Sequence, residues 1–160
     1  MLNKKIRIGI LGTADIAQRS MIPALFDLHS EYDLVAIASR SFDSAAQVSK
    51  RYGVQAFGTY EEIIDPKIVD AIYIPLPNSL HYEWIKRCLE KGLHVLVEKS
   101  MCTHFVEVEE VNNLASNNNL VLLENFQFRF HPQLSKIKEI IDSGELGKLK
   151  CLRSSFGFPP

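Results

Sequence analysis

"GILGTADIA" occupies residues 9–17 and continues the apolar run "IRI" of residues 6–8, so a stretch of strand length ends in a glycine turn and passes into helix-forming sequence. The spacing within it is Gly12-x-Ala14-x-x-Ala17. In a βα turn of this type the first glycine makes the tight turn and the last small residue lets the helix pack against the strand. The middle position is where the backbone comes nearest a bound phosphate. A helix starting there aims free N–H groups and the positive end of its dipole at an anion. Alanine at position 14 narrows that approach by a methyl group without closing it. The reading is a dinucleotide-binding turn opening a βαβ unit.

The sequence on either side supports such a unit. Continuous apolar runs recur at "IRIGIL" (6–11), "LVAIAS" (34–39), "AIYIPL" (71–76), "HVLVE" (94–98) and "LVLLEN" (120–125). Runs without polar alternation fit parallel strands covered on both faces. Between them lie helical stretches. The first runs from about Asp15 to Leu28, with Pro23 as a kink or restart, and the second is "SAAQVSKRYG", with Gly53 just past its end. Thr59 with Glu62 forms a capping box; Ser79 opens "LHYEWIKRCLEKG", ending at Gly92, and Thr103 opens a helix through about Asn117. Strands alternating with helices, joined by right-handed crossovers, give an α/β fold: a doubly wound parallel Rossmann sheet with helices on both faces.

The rhythm changes after residue 124. "FQFRFHPQ" is followed by a helix from about Pro132 to Asp142, a "SGELG" turn, and "KLKCLRSSFGF", which reads as a strand of a different sheet. Phe126, Phe128 and Phe130 are expected to alternate with Gln127 and Arg129 into an interdomain core, the alternative being an exposed interaction surface. The expected organisation is a cofactor-binding Rossmann domain over residues 1–124. Residues 125–160 are read as a linker helix and the first strand of a second α+β domain, so that the chain is the front part of a longer protein.

With 46 % hydrophobic residues and a formal net charge of −1, the chain falls in the ordinary globular class, and no nucleic-acid partner is implied. No membrane-spanning run or secretory leader is legible, and the expected location is cytoplasmic. Cys88, Cys102 and Cys151 form an odd set without metal-ligand spacing, so they read as small apolar residues and no metal site is expected.

Ligands of doubly wound sheets bind at the carboxyl ends of the strands. The second strand ends in Ser39-Arg40-Ser41, where an acidic residue would select the ribose 2′-OH of NAD. Arginine there pairs with a 2′-phosphate, so the cofactor is read as NADP, with NAD as the alternative. The third strand leads into "PLPNSLH" (75–81), a stiff loop with Asn78 and His81, of which His81 reads equally as a packed helix residue. Lys99 follows the fourth strand directly, a place where burial is expected and where an amine could hydrogen-bond a substrate carbonyl.

Taken together, "GILGTADIA", "VAIASRS", "DAIYIPLPNSLHYEW", "KGLHVLVEKS" and "ENFQFRFHPQ", in this order and spacing, resemble the glucose–fructose oxidoreductase/inositol dehydrogenase/rhizopine-catabolism (Gfo/Idh/MocA) family. The resemblance is strongest to its NADP-dependent branch of NDP-hexose 3-ketoreductases and dihydrodiol dehydrogenases. It implies that Gly12, Thr13, Ala14 and Ile16 contact the pyrophosphate and that Ser39 and Arg40 hold the 2′-phosphate. It implies further that Leu76, Pro77, Asn78 and His81 line the nicotinamide side, and that Glu98 and Lys99 match a Glu-Lys-Pro motif whose lysine is catalytic. Ser100 stands where that motif has proline. A cis bond before a non-proline residue costs roughly 2.5–4 kcal/mol, so a trans Lys99–Ser100 bond is expected.

The function expected on this basis is hydride transfer between NADP(H) and a keto or hydroxy group of a sugar-like or cyclic polyol substrate. The general acid would come from the second domain, which also mediates homo-oligomer formation in the full-length protein. These 160 residues alone are expected to be inactive. The alternative is a non-catalytic NADP(H)-sensing module acting through a partner protein.

Overall fold

The computed structural model describes residues 4–155 and 157. By contacts between Cα atoms the chain divides into two units, residues 1–125 and 126–160.

The first unit is built on a six-stranded, all-parallel sheet: β1 (Ile6–Leu11), β2 (Tyr32–Ala38), β3 (Gln55–Phe57), β4 (Ala71–Ile74), β5 (His94–Val97) and β6 (Leu122–Glu124), in the order β3-β2-β1-β4-β5-β6. β1 is central, and the order reverses between β1 and β4. A doubly wound sheet has its ligand crevice at that point. Successive side chains of a strand point to opposite faces, and the core divides accordingly. Leu11, Ala36, Ile72 and Ile74 pack with Trp84, Ile85 and Val111, on the side of α3 (Asn78–Glu90) and α4 (Phe105–Asn117). Ile10, Ile37 and Tyr73 pack with Ala17, Ile22, Leu25 and Val48, on the side of α1 (Ile22–Asp27) and α2 (Phe42–Tyr52).

The predicted strands form with ends shifted by a few residues, and β3 is an addition. It is a three-residue edge strand between Gly53 and Gly58, too short to carry a pattern. The first helix begins at Asp15, widens into a π-helical turn over Ala17–Met21, and continues as α1 with Pro23 in its first turn. Pro23 therefore acts as a restart. Gly53 ends α2 at φ +70°, and Glu62 Oε2 accepts the N–H groups of Gly58 and Thr59, closing a single 3₁₀ turn over Glu61–Ile63. At the head of α4, Glu107 Oε2 accepts from Thr103 and His104 N–H.

The second unit holds a 3₁₀ turn over Gln127–Phe130 and α5 (Pro132–Asp142). One expectation fails here. Phe128 and Phe130 are exposed on the 3₁₀ turn instead of alternating along an extended segment; Phe126 and Phe128 lie ring to ring at 5.8 Å. Residues 149–155, expected to begin a strand of a second domain, pair with no strand among the described residues; Phe156 and Phe158 lie outside the described residues. Among the described residues no helix is long and apolar enough to cross a membrane.

Candidate dinucleotide-binding site

The carboxyl ends of β1, β2 and β4 enclose a cleft of about 320 Å³ lined by Gly12, Thr13, Ala14, Ser39, Arg40, Ser41, Ser44, Tyr60 and Pro75–Pro77. Its floor is the turn after β1. Gly12 has φ +94°, a conformation that favours glycine, and a Cβ built there would also press on Leu76 Cδ2 at 3.0 Å. Its N–H donates to the Ala38 carbonyl at 2.6 Å, tying the turn to β2. Gln18 Nε2 donates to the Thr13 carbonyl at 2.8 Å from one helical turn on. The first helical bond back is Ala17 N–H to the Ala14 carbonyl at 3.0 Å. The N–H groups ahead of it are the free donors that a helix start presents to an anion.

The rim beyond β2 is a cluster of hydroxyls beside one guanidinium. Ser39 is buried, and its Oγ accepts the Ser41 N–H at 3.3 Å; Ser41 in turn caps α2, its Oγ accepting the Ser44 N–H at 3.4 Å. Arg40 is exposed and has no ion-pair partner among the described residues. Ser41, Ser44 and Tyr60 were not anticipated as lining residues. Ser41 and Ser44 carried a capping signal, and Tyr60 lay between Thr59 and Glu62 of a capping box, a signal for a helix start and not for a ligand.

On the β4 side, Leu76 and Pro77 form the cleft wall, while Asn78 opens α3. His81, one turn along, is fully buried and does not line the cleft. Its Nε2 lies 2.7 Å from the Leu76 carbonyl oxygen and its Nδ1 lies 2.7 Å from that of Ser100. It thereby ties the cleft wall to the turn that carries Lys99. Ile16 sits half-buried on the first helical turn.

The end of β5 differs from expectation in two respects. Lys99 is exposed, because β5 ends at Val97 and the side chain stands beyond the sheet edge; the burial expected for it is not supplied by this chain. The Lys99–Ser100 peptide bond is cis where trans was expected. The peptide unit that follows is anchored through both its polar groups: the Ser100 carbonyl lies on His81, and the N–H of Met101 donates to Glu124 Oε1 at 2.7 Å. Glu98 points the other way, its Oε1 accepting from Tyr73 Oη and from Asn125 Nδ2, each at 2.7 Å. Burial and the neighbouring Glu98 carboxylate push the Tyr73 phenol well above its ordinary range, so it acts as a donor only.

Comparison with known proteins agrees with this geometry. The sequence profile of a family described as "Oxidoreductase family, NAD-binding Rossmann fold" matches residues 6–126. A dTDP-3,4-didehydro-2,6-dideoxy-alpha-D-glucose 3-reductase from Actinomadura kijaniata is 39 % identical over 155 residues, covering 97 % of this chain and 46 % of that protein. A D-xylose 1-dehydrogenase (NADP(+)) from Haloferax volcanii is 40 % identical over 151 residues, covering 94 % and 46 %. The crystal structure of a 3-ketoreductase from A. kijaniata in complex with NADP and TDP-benzene superposes with a TM-score of 0.82 at 40 % identity, covering 88 % of this chain and 43 % of that one. The chain thus spans about half the length of the curated relatives it matches.

Proposed function

Because the chain belongs to the Gfo/Idh/MocA oxidoreductase family, we propose that it is the NADP(H)-binding part of an enzyme that interconverts a keto and a hydroxy group on a sugar-like substrate. The observation that carries this reading is the rim of the cleft. Arg40 stands there with the hydroxyls of Ser39, Ser41 and Ser44, and no carboxylate lines the cleft to repel a 2′-phosphate. The residues fit the cofactor at the turn as well, since the space beside Gly12 would be filled by any Cβ and the helix start supplies free donors.

In this reading Gly12, Thr13, Ala14 and Ile16 hold the pyrophosphate, and Ser39 and Arg40 hold the 2′-phosphate. Leu76, Pro77 and Asn78 form the nicotinamide side. His81 acts from beneath them, by carrying the Leu76 and Ser100 carbonyls. When bound, the nicotinamide supplies or accepts the hydride. Lys99 donates a hydrogen bond to the substrate oxygen and stabilises the negative charge that develops there. Glu98, held by Tyr73 and Asn125, fixes the backbone from which Lys99 projects. The proton comes from a residue of a second domain that begins within residues 125–160 and that assembles the full-length protein into a homo-oligomer. The working location is the cytoplasm.

A calorimetric titration with NADP⁺ and, separately, NAD⁺ tests the cofactor assignment. Tighter binding of NADP⁺ is expected; tighter binding of NAD⁺ overturns the reading of Arg40 and leaves the family intact. In the full-length enzyme, Lys99→Ala is expected to bind NADP⁺ as the wild type does while turnover falls about 10²–10⁴-fold. Unchanged turnover removes Lys99 from the chemistry.

A further inference from the structure

Of the stretch 97–101, Lys99 alone makes no hydrogen bond among the described residues. Its neighbours are all tied. The Val97 carbonyl accepts the Asn125 N–H at 2.8 Å, and the Glu98 N–H donates to the Ile74 carbonyl at 3.0 Å. Beyond Lys99, the Ser100 carbonyl lies on His81, and the Met101 N–H donates to Glu124 Oε1 at 2.7 Å. A lysine carries its amine on a flexible four-carbon stem. Here the side chain is exposed and forms no ion pair among the described residues, so no contact aims it. What sets the place from which the amine reaches out is the backbone on either side. Glu124 is the last residue of β6 and lies in register with Val97 of β5. It is half-buried, and its Oε2 has no partner among the described residues; since no buried side-chain oxygen there lacks one, Oε2 opens to solvent. The bond to Met101 is thus the one task this carboxylate performs within the described residues. Hydrogen bonds from N–H to carboxylate are roughly twice as strong as those between neutral groups.

We propose that Glu124 is a positioning residue for Lys99: through the Met101 N–H it fixes the turn from which the amine meets the substrate oxygen. This rests on the reading of Lys99 as the group that stabilises that oxygen. The pairing of β5 with β6 ends at Val97 and Glu124, so the strands alone leave Lys99 beyond the last rung. The end of β6 extends its hold past that rung, Asn125 gripping Val97 before the lysine and Glu124 gripping Met101 after it. Precision of this kind matters, because a misplacement of about 1 Å at a reacting centre costs about 10²-fold in rate.

Glu124→Gln keeps an acceptor at the same reach, whereas Glu124→Leu removes it. Glu124→Asp, one methylene shorter, withdraws the acceptor and serves where the leucine variant fails to fold. Relaxation of ¹⁵N in the folded chain reads backbone order at Lys99, two residues from the bond that is changed. The order parameter of the Lys99 amide is expected at about 0.85 in wild type and in the glutamine variant, and below about 0.6 in the leucine and aspartate variants. The change should be confined to residues 98–101. An equally ordered Lys99 amide in the leucine and aspartate variants, or one already flexible in the wild type, overturns the proposal. So does disorder in the glutamine variant, which still offers an acceptor, and so does a loss of order spread through the sheet, which makes Glu124 a general stabiliser. NADP⁺ titrated calorimetrically should bind all four proteins within about a factor of two, because Glu124 does not line the cleft. Weakened NADP⁺ binding with unchanged order at Lys99 assigns Glu124 to the cofactor and overturns its role on the lysine. Failure of the wild type to bind NADP⁺ overturns the cofactor reading, a result separate from the order at Lys99.

Discussion

Replacing His81 by phenylalanine tests how the cleft wall and the Lys99 turn are held together. The ring volume is nearly kept, so the packing of α3 onto the sheet changes little. What disappears is the polar contact of a fully buried imidazole with the carbonyl oxygens of Leu76 and Ser100, each at 2.7 Å. An imidazole N–H donates to one of these two carbonyls, and a buried carbonyl deprived of its donor costs about 1–3 kcal/mol. For a chain of this size that lowers the melting temperature by roughly 3–10 °C. Trp84 is the sole tryptophan, buried three positions further along the same helix, so its fluorescence follows both thermal and urea unfolding. His81→Gln, which keeps an amide donor, should fall between the two. The loosened Leu76 wall should also weaken NADP⁺ binding in the phenylalanine variant. A melting temperature within about 2 °C of wild type, equivalent to less than about 1 kcal/mol, would refute the claim that this imidazole ties the two loops.

Arg40→Ala should weaken NADP⁺ roughly 10–100-fold and leave NAD⁺ binding within about a factor of two, because the guanidinium has no ion-pair partner among the described residues to release. An equal loss for both nucleotides in parallel titrations would show that Arg40 acts on something other than the 2′-phosphate. At the amino ends of the central strands β1 and β4, the Arg7 side chain bonds both oxygens of Asp70 and holds that carboxyl down to about 2. A depressed carboxyl stabilises the fold above the unfolded value near 3.9 and loses that contribution as pH falls toward about 2. Asp70→Asn should therefore lower the urea midpoint at pH 7 and flatten its decline below pH 4; an unchanged decline assigns the acid sensitivity elsewhere. Burial pushes the Cys88 thiol up and the Cys102 thiol up to about 11, whereas Cys151 is exposed. An aromatic disulfide reagent should label Cys151 quickly in the folded protein and all three thiols only after unfolding. Rapid labelling of Cys102 would show that the turn after Lys99 opens.

The parts of the molecule legible in its sequence are those where one local signal decides the outcome. The continuous apolar runs gave the strands, Gly12 and Gly53 marked turns that form as read, and of the Thr59–Glu62 capping box only the Glu62 half forms, Tyr60 being the N-cap. β3 escaped because three edge residues, Gln55–Phe57, carry no periodicity; they are strand only through pairing with Ala36–Ala38. Tyr60, Ser41 and Ser44 enter the cleft through the path of the chain after β2 and β3, which no motif encodes. His81 was legible as an important position but its partners were not, since Leu76 and Ser100 meet it only once β4 and β5 are side by side. Lys99 was misjudged for a related reason. A strand's sequence tells that its middle is buried, whereas the depth of its last residues depends on what covers the sheet edge.

The widened turn over Ala17–Met21 places a bond from Ile22 N–H to the Ala17 carbonyl, five residues back. Ala17 and Ile22 consequently share one buried face at a spacing of five, where a regular helix would bring together residues four apart. The helix thus carries one residue more than its two ends need. Insertions and deletions in solvent-facing helix usually rotate everything downstream by about 100° and are poorly tolerated. Here the removal of exposed Ser20 would return Ala17 and Ile22 to ordinary helical register. The dinucleotide turn at one end and Pro23 at the other would keep their aim. The segment just behind the phosphate-binding turn is therefore a place where sequence length can drift by one without disturbing the site it supports.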